Sequence, residues 1–328
     1  MAASNPESWQ KGLILKQERI ASGINQIVIR QESAIKADPG THIDVFVETS
    51  EGRVRRSYSI VKQSTDLHEL TLGIFQVPNS RGGSIAMQKL SVGDVIDITQ
   101  PLQSFPLRVG APKYVLIAGG IGITALFSMA SLVKAIGAKY EIHYSARSRE
   151  SMAFRQELEE IHAGSIHFYQ DDVGERLNIG SLVSNVDPEA EAYICGPIRM
   201  MDEIRRTWNS SGLEPTNLRY ETFGASGWFD PEEFVVRIPS QGVEVLVGKD
   251  SSMLQALEAA GVDMLSDCRK GECGLCEVRV SALNGKIDHR DVFYSERQKD
   301  SASKLSCCVS RVISENSETP AVIEIIPT

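Results

Sequence analysis

Cysteines near the end of the chain have the spacing of an iron–sulfur site. Cys268, Cys273 and Cys276 are separated by four and then two residues, which is the plant-type [2Fe–2S] pattern with a fourth ligand further downstream. Thiolates suit such a centre because iron bridged by sulfide prefers soft, anionic donors. Gly271 and Gly274 lie between the ligands, and small residues let a loop aim backbone N–H groups at sulfur. The pattern predicts one-electron redox chemistry in this part of the chain.

Two adjacent residues, Cys307 and Cys308, are candidates for the fourth ligand. Cys308 is favoured because it begins a Cys-Val-Ser-Arg stretch that resembles the ferredoxin ending, which makes Cys307 a small buried apolar residue. Zinc is an alternative metal, but structural zinc sites usually combine two close cysteine pairs or one pair with histidines. Here there is one close pair, and the only nearby histidine is His289. Unligated thiols are the remaining alternative.

A glycine-rich loop, Gly119–Thr124, lies between a predicted buried strand and a predicted helix. N–H groups at a helix start, together with the helix dipole, form a pyrophosphate site, and glycine allows close approach. Gly120 and Gly122 fit the Rossmann glycine positions, but that fingerprint also needs an acidic residue after the next strand. Arg147 and Arg149 stand there instead. A standard Rossmann dehydrogenase is therefore disfavoured, and a tight strand-to-helix turn is the alternative.

A second loop, formed by Cys195, Gly196 and Pro197, follows another predicted strand and precedes a helix. Gly196 and Pro197 are turn residues at the carboxyl edge of a parallel sheet, where ligands bind. A thiol at this edge is suitably placed to lie near a nicotinamide ring. A buried core thiol is the alternative for Cys195.

The first third of the chain carries two motifs that suit a flavin. Arg56-Ser57-Tyr58-Ser59 lies on a predicted strand, so Arg56 and Tyr58 share one face. A flavin needs a flat aromatic neighbour, hydrogen-bond partners for its ring edge and a cation for its phosphate. Arg81-Gly82-Gly83-Ser84 offers a cation, backbone N–H groups and a hydroxyl, a set that suits a phosphate nest. Taken alone, the Arg56–Ser59 motif is equally typical of an exposed strand face, and the Arg81–Ser84 motif is equally typical of an ordinary turn.

These motifs fall in three segments with different predicted structure. Residues 11–103 contain short alternating strands, which indicate a small barrel. The predicted strands are Asn25–Arg30, His42–Glu48, Arg56–Val61, Glu69–Val77 and Val95–Thr99. From Pro112 onwards strands alternate with helices, as in a doubly wound parallel sheet. After a linker at 224–233 the chain is again strand-rich, with one helix whose capping box is Ser252 and Gln255 and a last strand at Ala321–Ile326.

Composition and charge exclude several classes of protein. The 328 residues include 34 Lys and Arg and 43 Asp and Glu, a net charge of −9, whereas phosphate contacts with nucleic acid need clustered cations. The longest apolar run is far shorter than the ~20 residues that span a bilayer. The first residues show no secretory signal. Five of the six cysteines lie in the last 61 residues, which indicates metal or redox chemistry in a reducing compartment.

Together and in this order, the motifs resemble those of the phthalate dioxygenase reductase family, which includes the vanillate demethylase reductases. The resemblance extends from about residue 11 to residue 311. The matching segments are Arg56–Ser59, Ser80–Ser84, Gly119–Thr124, Cys195–Pro197, Glu221–Gly224, the cysteine spacing and Asp288–Asp291. The chain departs from the family at Ala125, where proline is usual, and in a longer tail after Arg311.

The resemblance implies a multidomain fold of α/β and β type. Its parts are an antiparallel FMN-binding β-barrel at 1–106, a doubly wound parallel α/β NAD-binding domain at 107–226 and a C-terminal β-grasp [2Fe–2S] ferredoxin domain at 227–328. FMN is implied rather than FAD, because the family's Arg-Gly-Gly-Ser loop closes on a terminal phosphate.

The resemblance also implies a role for each candidate site residue. The flavin is held by Arg56, Ser57, Tyr58, Ser59, Arg81, Gly82, Gly83 and Ser84. The nicotinamide nucleotide is bound by Gly120, Gly122, Thr124, Cys195, Gly196, Pro197 and Phe223. Residues close to the reacting atoms, and so expected to be catalytic, are Ser59, Cys195 and Phe223. The cluster ligands are Cys268, Cys273, Cys276 and Cys308.

The implied function is that of an NADH-dependent reductase component of a Rieske-type oxygenase system. NADH gives a hydride to FMN, and single electrons then pass through the [2Fe–2S] cluster to the oxygenase. NADPH is the alternative donor, because Arg147 and Arg149 are placed to contact a 2′-phosphate. We expect a cytoplasmic monomer without nucleic-acid or membrane partners. The alternatives are a stand-alone flavin and iron–sulfur oxidoreductase with another acceptor, and a non-catalytic ferredoxin-like binding protein.

Overall fold

The structure of the chain, a computed structural model, describes residues 7–49, 52–77, 82–223, 227–315 and 320–327. These form two compact units. The first comprises Met1–Gly196 and Thr207–Glu221, and the second comprises Pro197–Arg206 and Thr222–Thr328. None of the described helices is both long and apolar enough to cross a bilayer.

Six antiparallel strands of the first unit close into a barrel. They are β1 (Trp9–Ala21), β2 (Ile24–Gln31), β3 (Thr41–Thr49), β4 (Gly52–Gln63), β5 (Glu69–Phe75) and β6 (Val95–Thr99). Their order is β4-β5-β2-β1-β6-β3, and pairing of β3 with β4 closes the ring. Helix α1 (Gly83–Lys89) lies between β5 and β6 in sequence, and the short strand β7 (Leu102–Gln103) pairs with β3. Apolar residues that alternate along the strands fill the interior.

The five strands predicted for this segment are confirmed, whereas β1 and α1 were not predicted. The apolar alternation of β1 is broken by a register shift between Ile14 and Lys16, so its sequence lacks a clean period of two. Gly12 also interrupts the pattern for a packing reason. A Cβ atom at position 12 would lie 2.7 Å from the Ile29 side chain. A larger residue would therefore clash with the packed interior of the barrel.

A parallel sheet follows in the first unit, as the alternation of strands and helices predicted. Its strands are β8 (Lys113–Gly119), β9 (Lys139–Ala146), β10 (Ile166–Gln170), β11 (Glu191–Cys195) and β12 (Leu218–Glu221). The helices of this segment are α2 (Ile123–Ala135), α3 (Arg155–Ile161), α4 (Ile179–Ser184) and α5 (Ile198–Ser210). The order β10-β9-β8-β11-β12 reverses direction at β8. The carboxyl ends of β8 and β11 are therefore the sheet edge at which proteins of this architecture bind ligands.

The second unit contains a mixed sheet of the β-grasp type. Its elements are β13 (Phe234–Ile238), β14 (Val243–Val247), α6 (Met253–Ala259), β15 (Glu277–Asn284), β16 (Lys286–Asp288), α7 (Glu296–Asp300), β17 (Lys304–Ser306), β18 (Arg311–Ile313) and β19 (Ala321–Pro327). The predicted capping box of α6, Ser252 with Gln255, is confirmed. The strand order is β14-β13-β19-β15-β17, with β19 parallel to β13. The long tail after Arg311 therefore supplies the central strand of this sheet.

Candidate functional site

Strand β4 carries the predicted flavin-binding residues in alternation. Arg56 and Tyr58 are half-buried, and Tyr58 packs against the core of the barrel. Burial raises the pKa of the Tyr58 hydroxyl, so it stays a neutral hydrogen-bonding group. Ser59 is buried. The Ser57 hydroxyl donates to the Asp44 carboxylate on β3, which separates it from the face that carries Arg56 and Tyr58.

The Arg56 side chain lies against the start of helix α1. A Cβ atom on Gly83 would come within 2.4 Å of Arg56 Nε, so glycine is needed for this approach. Gly82 precedes the helix with a φ of +82°, and Ser84 is buried. The first turn of α1, as the structure describes it, contains no acidic residue that would repel an anion. A cation beside helix-start N–H groups fits the phosphate of FMN. Arg81, the other predicted cation, lies outside the described residues.

The glycine loop after β8 turns directly into helix α2. Gly120 begins a single 3-10 turn and has a φ of +53°. Gly122 packs against the end of β11, because a Cβ atom there would lie 2.1 Å from the Cys195 carbonyl oxygen. Thr124 is buried, and its hydroxyl donates to the Ile121 carbonyl at 2.8 Å. The Thr124 hydroxyl therefore donates its proton within the turn. The structure brings Gly120, Gly122 and Cys195 to one edge of the sheet.

Cys195 is the last residue of β11 and is fully buried. Gly196 is half-buried and Pro197 is exposed in the loop that leads to α5. Cys195 pairs with Ala118 of β8, so its backbone lies at the point where the strand order reverses. This is the position at which α/β sheets bind nucleotides.

The end of β9 carries no carboxylate for a ribose hydroxyl. The strand ends at Ala146, and Arg147 and Arg149 follow with exposed side chains. Between them, Ser148 forms a capping box with Ser151 over a short 3-10 turn. Two exposed cations therefore stand where the Rossmann fingerprint has its acid.

The cysteine loop aims backbone N–H groups at one of the predicted cluster ligands. The N–H groups of Lys270 and Glu272 both donate to Cys268 Sγ at 3.4 Å. Gly271 and Gly274 have φ values of +77° and +75°, a region that favours glycine. This backbone conformation lets the loop curl around sulfur, as an iron–sulfur site requires.

The two glycines are also required by space. A Cβ atom on Gly271 would lie 2.6 Å from Val309, and one on Gly274 would lie 2.3 Å from the Phe293 ring. Phe293 is partly exposed beside this loop. The cysteine loop is therefore held close to the body of its domain at both glycines.

Cys276 lies beside both candidates for the fourth ligand. Hydrogen bonds with Cys307 and Cys308 lower the pKa of Cys276 to about 3, even though burial opposes this. The hydrogen bond with Cys276 and burial raise the pKa of the other two thiols. The charge of Cys268 also raises the pKa of Cys308, and a hydrogen bond from the Gly271 N–H lowers it. Cys308 thus lies near two predicted ligands as well as the loop backbone.

Among the residues that the structure describes, no three His, Cys, Asp or Glu side chains form a group that could hold one metal ion. A [2Fe–2S] centre distributes four thiolates over two irons, so three donors need not converge on one point. The donor set fits this cluster because it combines neighbouring cysteine side chains with backbone N–H groups that donate to sulfur.

One contact beside the cysteine loop was missed by sequence reasoning. Thr222, the buried residue that follows β12, donates its N–H to Glu272 Oε1 at 2.7 Å. Its hydroxyl lies 2.7 Å from the Lys270 carbonyl oxygen and 2.9 Å from Glu272 Oε1. Phe223 follows with 39% of its surface exposed. The position of Glu272 between two cysteines was the only available signal.

The segment Asp288–Asp291 forms a buried network in the second unit. The Arg290 guanidinium pairs with Asp288 at 2.6 Å and donates to the Phe229 carbonyl at 2.9 Å. Asp288 also accepts the Trp228 N–H at 3.0 Å. The network therefore fastens the segment before β13 to the sheet.

Two family models match parts of the chain. The 2Fe-2S iron-sulfur cluster binding domain matches residues 236–311, and the oxidoreductase NAD-binding domain matches residues 116–206. The first range contains all the candidate cluster ligands. The second contains both loops at the carboxyl ends of β8 and β11.

Several known proteins are similar to nearly the whole chain. The carnitine monooxygenase reductase subunit of Acinetobacter baumannii is 33% identical, over 83% of this chain and 84% of its own. The vanillate O-demethylase oxidoreductase of a Pseudomonas species is 33% identical, over 84% and 87%. The tetrachlorobenzoquinone reductase of Sphingobium chlorophenolicum is 31% identical, over 94% and 96%.

Among solved structures, phthalate dioxygenase reductase superimposes with a TM-score of 0.71 and 27% identity. The match covers 97% of this chain and 98% of that one. That protein is described as a modular structure for electron transfer from pyridine nucleotides to [2Fe–2S].

Proposed function

This chain belongs to the family of oxygenase reductases that includes phthalate dioxygenase reductase and the vanillate O-demethylase oxidoreductases, and on that premise we propose its partner and its electron path. It is an oxidoreductase with an NAD-binding and a [2Fe–2S]-binding domain. We propose that it takes electrons from NADH and delivers them to a Rieske-type oxygenase. The observation that carries the proposal is the cysteine loop, in which two N–H groups point at Cys268 Sγ.

The redox chemistry belongs to the bound groups. FMN accepts two electrons as a hydride and releases them singly, and a [2Fe–2S] cluster takes one electron at a time. Each NADH therefore supports two one-electron deliveries to the acceptor. The chain itself binds, orients and separates the groups.

The flavin phosphate is held by Arg56 and the Gly82–Ser84 backbone in this proposal. Support comes from the Arg56 side chain, which packs on Gly83 so closely that a Cβ atom would not fit. Tyr58 supplies a neutral aromatic face on the same side of β4. Phe223, with 39% of its surface exposed, is the residue proposed to meet the nicotinamide.

The nucleotide binds at the carboxyl ends of β8 and β11. Gly120 and Gly122 allow its phosphates to approach the start of α2, and Cys195 lies at the neighbouring strand end. NADH is the proposed donor. The exposed Arg147 and Arg149 make NADPH the competitor to test.

Cys268, Cys273, Cys276 and Cys308 are the proposed cluster ligands. The choice of Cys308 is supported by its closeness to both Cys268 and Cys276. A thiolate set of this kind needs a reducing environment. We therefore propose a cytoplasmic location. We also propose a monomer with three functional domains, at 1–106, 107–226 and 227–328.

Stopped-flow spectroscopy of the purified holoprotein tests the proposal. NADH is expected to bleach the flavin first and the cluster second, and adding a Rieske oxygenase should reoxidise the cluster. Protein without flavin bands, or a flavin that NADH bleaches while the cluster stays oxidised, would contradict the proposed function.

A second candidate is direct reduction of a small acceptor such as a quinone. It is favoured by one observation, the match to tetrachlorobenzoquinone reductase over 94% of the chain. The two candidate functions are distinguished by the rates at which a quinone and a Rieske oxygenase reoxidise the reduced protein in parallel experiments. Faster reoxidation by the quinone would favour this second function.

A further inference from the structure

Thr222 is hydrogen-bonded to the cysteine loop. It is covalently next to Phe223, and its buried hydroxyl and N–H contact the cysteine loop at Lys270 and Glu272. A hydroxyl has one proton, so it donates either to the Lys270 carbonyl or to the Glu272 carboxylate. Hydrogen bonds to a charged carboxylate are roughly twice as strong as neutral ones. Thr222 is therefore held firmly to the loop.

The same two loop residues contact a cluster ligand. Lys270 and Glu272 each donate a backbone N–H to Cys268 Sγ at 3.4 Å. From Cys268 to Thr222 there are thus only two hydrogen bonds and a short piece of backbone. The Thr222 contacts therefore hold the part of the loop that donates to the Cys268 sulfur.

We propose that Thr222 and Glu272 are positioning residues that hold the cysteine loop around Cys268 and thereby set the rate at which the cluster is reduced. This inference rests on the proposed function, since it assumes that electrons travel from flavin to cluster. In the step concerned, the flavin loses one electron and the cluster gains one. The step needs no reductant other than NADH, which supplies both electrons.

Thr222→Val is the main test because it keeps the size and the N–H but removes the hydroxyl. In the holoprotein, NADH should still bleach the flavin, whereas cluster reduction should slow by about tenfold, the effect of one such bond. Thr222→Ser keeps the hydroxyl and should restore the wild-type rate. Both rates are read separately by stopped-flow absorbance, and the reduced cluster by its electron paramagnetic resonance signal.

Glu272→Gln tests the other partner, and Glu258→Gln is its matched control. Glu258 pairs with Arg269 of the same loop at 2.6 Å, so its replacement removes an equal charge nearby without touching Thr222. We expect slower cluster reduction in Glu272→Gln and an unchanged rate in Glu258→Gln. Equal rates in these two variants would overturn the role of the contact.

The outcomes separate this inference from the proposed function. If wild-type protein fails to reduce its cluster with NADH, the proposed function fails. If wild-type protein succeeds and Thr222→Val matches it within twofold, the positioning role fails alone. Loss of the cluster bands from both Thr222→Val and Glu272→Gln would assign the contact to cluster retention and would also overturn the inference.

Discussion

Gly122 lies directly against the backbone carbonyl of Cys195. A Cβ atom on Gly122 would come within 2.1 Å of the carbonyl oxygen and 2.5 Å of the carbonyl carbon. The contact arises because β8 and β11 are paired neighbours, so that the loops after them meet at one edge of the sheet. The glycine loop and the Cys195 loop therefore form one surface, which is where we propose that the nucleotide binds.

Gly122→Ala is expected to destabilise the first unit and to slow hydride transfer from NADH. The added methyl group must push the Cys195 backbone away, and overpacking of this kind costs about 1–3 kcal/mol. Thermal unfolding and NADH-dependent flavin bleaching measure the two effects. Gly180→Ala is the control, because the nearest atom to its Cβ lies at 3.5 Å. Equal melting temperatures for the two variants would refute the steric explanation.

Cys308→Ser is expected to abolish the cluster while the flavin stays bound. The serine hydroxyl is a harder donor than a thiolate, so it cannot take the place of a soft sulfur ligand. Absorption and electron paramagnetic resonance spectra measure the loss. Cys307→Ser and Cys195→Ser should both keep the cluster. A cluster that survives in Cys308→Ser but is lost in Cys307→Ser would reverse the ligand assignment.

Arg56→Ala is expected to weaken FMN binding by about tenfold or more, because a charge-assisted hydrogen bond to phosphate is lost. Riboflavin, which has no phosphate, should bind the variant and the wild type equally. Fluorescence titration of the apoprotein with both flavins measures this. The control is Arg53→Ala on the same strand, whose guanidinium pairs with Asp97 and lies over Phe46. An equal loss for riboflavin would point to general damage instead.

Arg290→Met is expected to lower the free energy of unfolding by about 3–5 kcal/mol. The change leaves the fully buried Asp288 carboxylate without its cation, and an uncompensated buried charge has a cost of this size. Urea denaturation measures it. The exposed pair Arg237 and Glu244, also at 2.6 Å, provides the control. Arg237→Met should change stability by less than about 1 kcal/mol, and a similar loss in both variants would contradict the prediction.

Stability should fall as the pH decreases from about 6.5 to about 4, partly because of His143. Burial lowers the pKa of this imidazole to about 4, while Glu141 opposes the shift and His167 and Lys113 add to it. Since the folded-state pKa is below the unfolded value, the unfolded chain binds the extra proton in this window. The folded state loses about 1–3 kcal/mol there.

The measurement is urea denaturation at several pH values between 4 and 7. His143→Gln has no proton to bind, so its pH dependence should be flatter than that of the wild type. Wild-type protein measured in parallel gives the reference slope. If the free energy of unfolding of His143→Gln depends on pH as steeply as that of the wild type, protonation of His143 is not a cause of the loss.

Much of the strand and helix pattern followed from local sequence. Residues 95–99 were predicted with the bounds that the structure has, and the last strand, predicted at 321–326, extends one residue further to Pro327. Short apolar runs between turn residues specify such strands locally. Strand β1 was missed because a bulge and Gly12 break its alternation. Its pairing with β2 and β6, not its own pattern, makes it a strand.

The sequence by itself indicated the chemistry: cysteines at iron–sulfur spacing, glycines before a helix and an Arg-Gly-Gly-Ser segment suited to phosphate. Residue type and short-range spacing are local properties, so they can be recognised without coordinates. Tertiary structure alone decided which groups meet. Gly122 lies against Cys195, Arg56 lies on Gly83, and Thr222 hydrogen-bonds to Glu272. These partners are 27 to 73 residues apart, and only strand pairing and chain packing bring such distant segments together.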